Sequence, residues 1–227
     1  MSGKGLIVVI SGFSGAGKGT IVSDFMNKHP ECLLSISATT REPRTGEIDG
    51  VHYHFLNKND FLDGIEKDDF IEYNEYQGNY YGTPKSFVAE NSGRGTNVIL
   101  EIDVNGGERI KECFPDALRI FVTAPSARIL AERLRSRGTD SPEKIRGRLL
   151  RAVEETAFIK NYDYLLINDS LDDSVRSLEL ILDREMNSDN DASALPETVF
   201  DIPSSGKAVD EFIKCFENEL SKITKGE

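Results

Sequence analysis

Four short runs of apolar, largely β-branched residues recur along the chain: LIVVI at 6–10, VILEI at 98–102, RIFVT at 119–123 and YLLIN at 164–168. Runs of four to six such residues predict strands buried on both faces, the pattern of a parallel sheet. Between and after them, apolar residues at helical spacing predict helices over about residues 17–28, 105–113, 125–136, 141–161 and 171–186, with Ser141 and Pro142 as cap and first helical residue of the fourth. Strands alternating with helices give an α/β domain whose sheet is twisted and mostly parallel. One stretch breaks the alternation. From residue 37 to 81 the chain shows short Tyr- and Phe-rich segments, HYHF and FIEYNEY, separated by turn residues, which predict a small inserted β-lobe. No internal repeat is present.

The polar positions divide the chain further. Between residues 128 and 151, eight basic residues (Arg128, Arg133, Arg135, Arg137, Lys144, Arg146, Arg148 and Arg151) face three acids, Glu132, Asp140 and Glu143. After Ser188 nine acids face four lysines, and SDNDASALPETVFDIPSSGK has the Ser, Asp and Pro content of a linker. A boundary is expected there. The final stretch, KAVDEFIKCFENELSKI, sets Val209, Phe212, Ile213, Phe216, Leu220 and Ile223 on one face of an amphipathic helix. Three roles are open to it: a docked stabilising helix, favoured here, a dimer contact, or a segment exposed to a partner.

The sharpest local chemistry is SGFSGAGKGT, residues 11–20, directly after the first apolar run. A strand, a glycine loop and a helix N-terminus form an anion cradle, because loop N–H groups and the positive end of the helix converge on phosphate. Lys18 adds a charge that can follow β- and γ-phosphates. The usual pattern ends in a hydroxyl residue that holds Mg²⁺; here that place is Gly19. The glycines do not match a dinucleotide fingerprint.

Composition narrows the ligand class. The chain has 227 residues, 38% of them hydrophobic, and a formal charge of −12. That charge argues against bulk binding to nucleic acid or an anionic membrane, so an anionic ligand must meet a local basic cluster. No apolar run approaches the about 18 residues of a membrane span, and GLIVVISG is a poor secretory signal, so a cytoplasmic protein is expected. Cys32, Cys113 and Cys215 are odd in number and widely spaced, which indicates neither a disulfide framework nor a zinc site.

Three further groupings carry possible chemistry. In SISATTREPRTGE, Ser37, Arg41 and Arg44 precede Tyr53; two arginines can fork a phosphate, although a plain polar loop is equally consistent. Glu72 in FIEYNEY, with Tyr81 and Thr83 in NYYGT, is either a solvent-facing strand residue, the commoner case, or a ligand acceptor. LEIDVNG ends a strand with Glu101 and Asp103, beside the crevice where α/β sheets bind ligands. Such carboxylates can serve Mg²⁺ through water or accept a ligand hydrogen bond.

The order of glycine loop, SISATTREPRTGEIDGVHYHF, FIE, GNYYGTP, DVNGG and an arginine-rich helix pair resembles the guanylate kinase family over about residues 6–186. The TTREPRTGE and GNYYGTP motifs are far more specific than the loop itself. The resemblance implies a kinase domain over 1–187, made of a P-loop kinase core, a GMP-binding lobe at about 37–88 and a helical lid at about 133–150. It also implies transfer of the γ-phosphoryl group of ATP to GMP, giving ADP and GDP, with Mg²⁺ accompanying ATP, in purine nucleotide metabolism. The partners it implies are the small molecules ATP and GMP, acting on a monomer or homodimer.

By the same resemblance, ATP phosphates lie on Ser14, Gly15, Ala16, Gly17, Lys18, Gly19 and Thr20, and Asn168 touches the adenine side. Arg137 and Arg148 close on the transferring group, with Arg133 nearby. The GMP phosphate meets Arg41, Arg44, Tyr53 and Tyr81, and the base meets Ser37, Glu72, Thr83 and Asp103. The catalytic set is Lys18, Arg41, Arg137 and Arg148. With Gly19 lacking a hydroxyl, Mg²⁺ is expected to be held by substrate phosphates and waters that Glu101 and Asp103 orient. Phe13 stands where the family usually has proline, Glu101 where it often has aspartate, and residues 188–227 run past the family's usual end. A catalytically inactive protein-binding module of the same fold is disfavoured by the intact loop, and a kinase for another base by Glu72 and TTREPR.

Overall fold

The computed structural model describes residues 4–225 apart from 77, 137, 139 and 188–194. The chain forms two compact units, Met1–Val9 with Pro30–Ala117, and Ile10–His29 with Leu118–Glu227. Strand β1 (Ile7–Gly12) contributes residues to both and is buried along its whole length. The sheet is mostly parallel and flanked by helices, as the alternation of apolar runs and helical patterns predicts.

In the first unit, β7 (Val98–Glu101) lies between β1 and β2 (Leu33–Leu34), both residues of β2 pairing in parallel with Val98 and Ile99. Ile7, Val9, Val98 and Leu100 form its core with Val88 of α3 (Lys85–Gly93) and Ile110 of α4 (Val104–Cys113). The inserted lobe is a four-stranded sheet ordered β4-β3-β6-β5, from β3 (Ala38–Thr39), β4 (His54–Phe55), β5 (Phe70–Tyr76) and β6 (Asn79–Pro84). It is not all β. Residues 58–66 form helix α2 (Lys58–Glu66), capped by the Asn57 side chain accepting from the Asp60 N–H, and its Phe61 stacks on Phe70 at 4.3 Å. The aromatic content that suggests strands here is the lobe's own small core, shared between helix and sheet.

In the second unit the order is β10-β9-β8-β1, with β8 (Leu118–Thr123) parallel to β9 (Tyr164–Ile167). Around it lie α1 (Lys18–Lys28), α5 (Ala127–Ser136), α6 (Pro142–Glu155), α7 (Leu171–Asn187) and α8 (Gly206–Lys225). The single helix expected over 141–161 ends at Glu155 and continues as a 3-10 turn, Thr156–Asn161. The Thr156 hydroxyl lies 2.7 Å from the Val153 carbonyl, the back-bonding that bends a helix, and equally close to the Glu217 carboxylate. Inside the expected linker, Val199–Asp201 forms β10, antiparallel to β9 and pinned by a half-buried Arg184–Asp201 ion pair at 2.9 Å. Helix α8 buries Val209, Ile213, Phe216 and Leu220 and packs on α5 and α6.

The end of β1 is set by contact with β8. Gly12 has φ of 142°, and a Cβ there would overlap the Val122 carbonyl oxygen. Gly12→Ala is therefore expected to destabilise the fold by about 3 kcal/mol or more, read as a fall in the urea midpoint without a change in slope.

Candidate active site

The residues singled out in the sequence fall into two sets, one in each unit. In the second unit, β1 gives way at Gly12 to a loop, and α1 begins at Lys18. Gly17 caps that helix in the left-handed region, φ 93°, where a Cβ would also strike the Asn168 amide. The first turn of α1 carries no acid, so no carboxylate of that turn offsets the positive end of the helix. The Lys18 ammonium donates to the Gly12 carbonyl at 2.7 Å and to the Phe13 carbonyl at 3.1 Å. Gly19 and Thr20 are exposed at the second and third positions of the helix.

Three side chains from later in the chain converge on this loop. Arg148 of α6 donates to the Ser14 hydroxyl at 2.6 Å and pairs with Asp140 at 3.1 Å. Arg133 of α5 reaches the Ala16 carbonyl at 3.5 Å and the Asp169 carbonyl at 3.4 Å. Asn168 is buried; its amide donates to the Ala16 carbonyl at 2.7 Å and its carbonyl accepts from the Ser174 hydroxyl at 2.9 Å. In this arrangement Asn168 braces the loop backbone, a role apart from the adenine contact that the family resemblance implies. Arg137 lies outside the described residues.

In the first unit, Arg41 and the tyrosines form a cage. The Arg41 guanidinium sits 5.4 Å from the Tyr53 ring centre and 5.9 Å from that of Phe55, and Tyr53 meets Tyr81 edge-on at 6.1 Å. One nitrogen of Arg41 donates to both oxygens of Glu47, at 2.8 and 2.9 Å, and another to the Glu42 carbonyl at 2.7 Å. Glu47 also accepts from the Arg44 N–H at 2.7 Å, while the Arg44 side chain is exposed. Hydrogen bonding to Arg41 holds the Glu47 carboxyl below the usual range, and burial pushes the Tyr53 phenol up. Glu47 is thus the internal counter-ion of Arg41, a part that an acid inside a doubly basic motif signals in the sequence.

The second part of this set surrounds Glu72. A register shift in β5 between Phe70 and Glu72 leaves Phe70 in the lobe core and Ile71 in the core beneath β7. Glu72 then stands opposite Thr83, whose hydroxyl donates to its carboxylate at 2.6 Å. Asp103 caps α4 by accepting from the Gly106 N–H at 2.9 Å. A Cβ on Gly106 would lie 3.3 Å from the Glu72 carboxyl carbon, so glycine lets the helix start come close to that acid. Burial raises the Glu72 pKa, the Thr83 hydrogen bond opposes this, Asp103 raises it further and Arg109 lowers it. Ser37 is half-buried next to β3, its carbonyl accepting from the His54 N–H at 2.9 Å. Gly106 and Arg109 are absent from the sequence-derived set because their parts depend on the turn of α4 toward β5, which no local motif announces.

These groups can bind a phosphate at Arg41 and the tyrosines, a hydrogen-bond donor pair at Glu72, and a polyphosphate at the glycine loop. Among the described residues no group of three or more His, Cys, Asp or Glu side chains is placed to hold a metal ion.

Comparison with known proteins identifies the family. The family model "Guanylate kinase" matches residues 4–185. A guanylate kinase of Carboxydothermus hydrogenoformans is 50% identical over 182 residues, covering 80% of this chain and 89% of that protein. One from Synechocystis is 46% identical, covering 80% and 95%. Among solved structures, the crystal structure of guanylate kinase from Anaplasma phagocytophilum aligns with a TM-score of 0.65 at 28% identity, covering 80% of this chain and 86% of that one. With the model spanning most of the chain and half of the residues shared with a relative over that same stretch, this chain belongs to the guanylate kinase family.

Proposed function

We propose that this chain is an ATP:GMP phosphotransferase, moving the γ-phosphoryl group of ATP to GMP and releasing ADP and GDP. The observation that carries the base assignment is Glu72, a half-buried carboxylate held by Thr83 beside Asp103. The guanine edge offers N1–H and N2–H donors that an ionised carboxylate accepts as a pair, whereas adenine presents an acceptor at N1. A polar site built this way rejects the wrong base by about 10⁴, because its buried groups are then left unpaired.

Arg41, Arg44, Tyr53 and Tyr81 bind the GMP phosphate, and Ser37, Glu72, Thr83 and Asp103 bind its base. Residues Ser14 to Thr20 bind the ATP phosphates, and Asn168 fixes the loop that receives them. The acceptor oxygen of GMP is already anionic, so no general base is required and catalysis rests on alignment and charge neutralisation. Lys18, Arg148 and Arg137 supply that charge, with Arg133 steadying the loop. Glu101, exposed at the end of β7, and Asp103 suit a metal held through water better than direct ligation. Mg²⁺ bound with ATP would neutralise the phosphate oxygens. We place the reaction in cytoplasmic purine nucleotide metabolism; among the described residues no helix is long and apolar enough to cross a membrane.

A coupled ADP-release assay with GMP, AMP, CMP and UMP is expected to show turnover with GMP far above the others; preference for AMP would remove the base assignment, and no ADP with any acceptor would remove the activity. Lys18→Ala should cost orders of magnitude in turnover, whereas Gly19→Ser, at an exposed helical position, should be tolerated. Glu72→Gln should raise the KM for GMP by about 100-fold or more. Because the folded-state pKa of Glu72 is raised, ionising it costs stability at neutral pH and costs nothing below its unfolded value. The same variant is therefore expected to melt higher than the parent at pH 7, with the difference vanishing toward pH 4 in thermal scans.

A further inference from the structure

Helix α8 lies beyond the 4–185 stretch matched by the family model, yet it makes contacts directed at the glycine loop. Phe216 is almost fully buried and stacks on Phe13 at a centroid distance of 5.0 Å and an interplanar angle of 16°. Phe13 is itself wedged edge-on against Phe121 of β8 at 5.0 Å, and its carbonyl is one of the two that receive Lys18. Phe13 thus carries a ring whose second face is supplied by α8. A proline at that place would stiffen the loop through its own φ; a phenylalanine needs a partner to do so.

A second contact reaches the loop through α5. The Glu219 carboxylate accepts from the Ala127 and Arg128 N–H groups, at 3.0 and 3.4 Å, while the Ser126 hydroxyl accepts from the Ile129 N–H at 3.2 Å. Together they satisfy the first N–H groups of α5 and set an anion on the positive end of its dipole. That helix carries Arg133 to the Ala16 carbonyl. A third contact, from Arg146 of α6 to the Thr224 carbonyl at 3.3 Å, ties α8 to the helix whose Arg148 holds Ser14.

We propose that α8 is a positioning element for ATP binding, with Phe216 and Glu219 as positioning residues that hold the glycine loop through Phe13 and through α5. This rests on the reading of that loop as the ATP phosphate site. Loop N–H groups bind phosphate only in one arrangement, and small displacements of such groups carry large losses. Packing that served stability alone would lower the melting temperature and leave the affinity of the folded protein untouched.

The full chain and its Phe216→Ala, Phe216→Leu and Glu219→Gln variants can be titrated, well below their melting temperatures, with a fluorescent N-methylanthraniloyl ATP plus Mg²⁺, and separately with GMP by calorimetry. Phe216→Ala is expected to weaken the ATP analogue about tenfold while GMP affinity stays within about twofold, and Phe216→Leu to recover most of the loss. Glu219→Gln, which keeps size and removes the charge at the α5 N-terminus, is expected to weaken the analogue about threefold, and it carries the test should Phe216→Ala fail to fold. Variants that melt lower but bind the analogue like the parent, or that lose both ligands equally, would overturn the role of α8. A parent chain that binds no ATP analogue, while folded, would overturn the ATP reading of the loop and the role of α8 with it.

Discussion

The approach of Gly12 to the Val122 carbonyl is the constraint on which the half that carries the glycine loop depends. With no side chain in the way, the end of β1 lies directly against β8, and the loop that follows must leave at a fixed angle. That angle buries Phe13, turns its carbonyl toward Lys18, and brings Ala16 within reach of Asn168 and Arg133. The polar bracing is distributed among a helix start, a strand end and two arginine-bearing helices. Each brace grips backbone or the Ser14 hydroxyl, so the loop is shaped by its surroundings rather than by its own sequence alone.

The other half solves a different electrostatic problem. Glu72 sits where its charge is poorly solvated and where Asp103 repels it, and Thr83 and Arg109 offset this in part. A stable fold would place a neutral residue there. A charged group kept in spite of its cost is the pattern of a binding site, in which the ligand's donors complete the solvation that folding removed. Arg41 shows the converse economy. Its charge is balanced within the chain by Glu47, so the cage of Tyr53, Phe55 and Tyr81 is assembled around an ion pair and not around a lone cation.

Much of the architecture was legible in the sequence because its signals are local. Four apolar runs mark buried strands of the main sheet, and helical spacing marks the long helices; the glycine loop announces the turn from β1 into α1 because its pattern is contiguous in the sequence. What escaped notice depends on distant partners. Helix α2 was hidden in an aromatic stretch whose rings serve a core shared with strands. Strand β10 was hidden in a polar segment because a three-residue edge strand needs only an adjacent strand and one ion pair. Gly106 acts through Glu72, which lies far enough away in sequence that spacing carries no sign of it, whereas Glu47 stands six residues from Arg41 inside the same motif. The pattern of α8 was plain, whereas its attachment to Phe13 requires a contact between residues some two hundred positions apart.

The residues proposed for GMP belong to one unit of the chain and those proposed for ATP to the other. In evolutionary terms the two are separately editable. Under the proposed assignment, a change at Glu72 or Thr83 would alter which base is accepted without touching the loop assigned to the triphosphate, and a change in α8 would act on that loop alone. A chain divided as proposed would let acceptor specificity diverge by a handful of substitutions while the donor side stays the same.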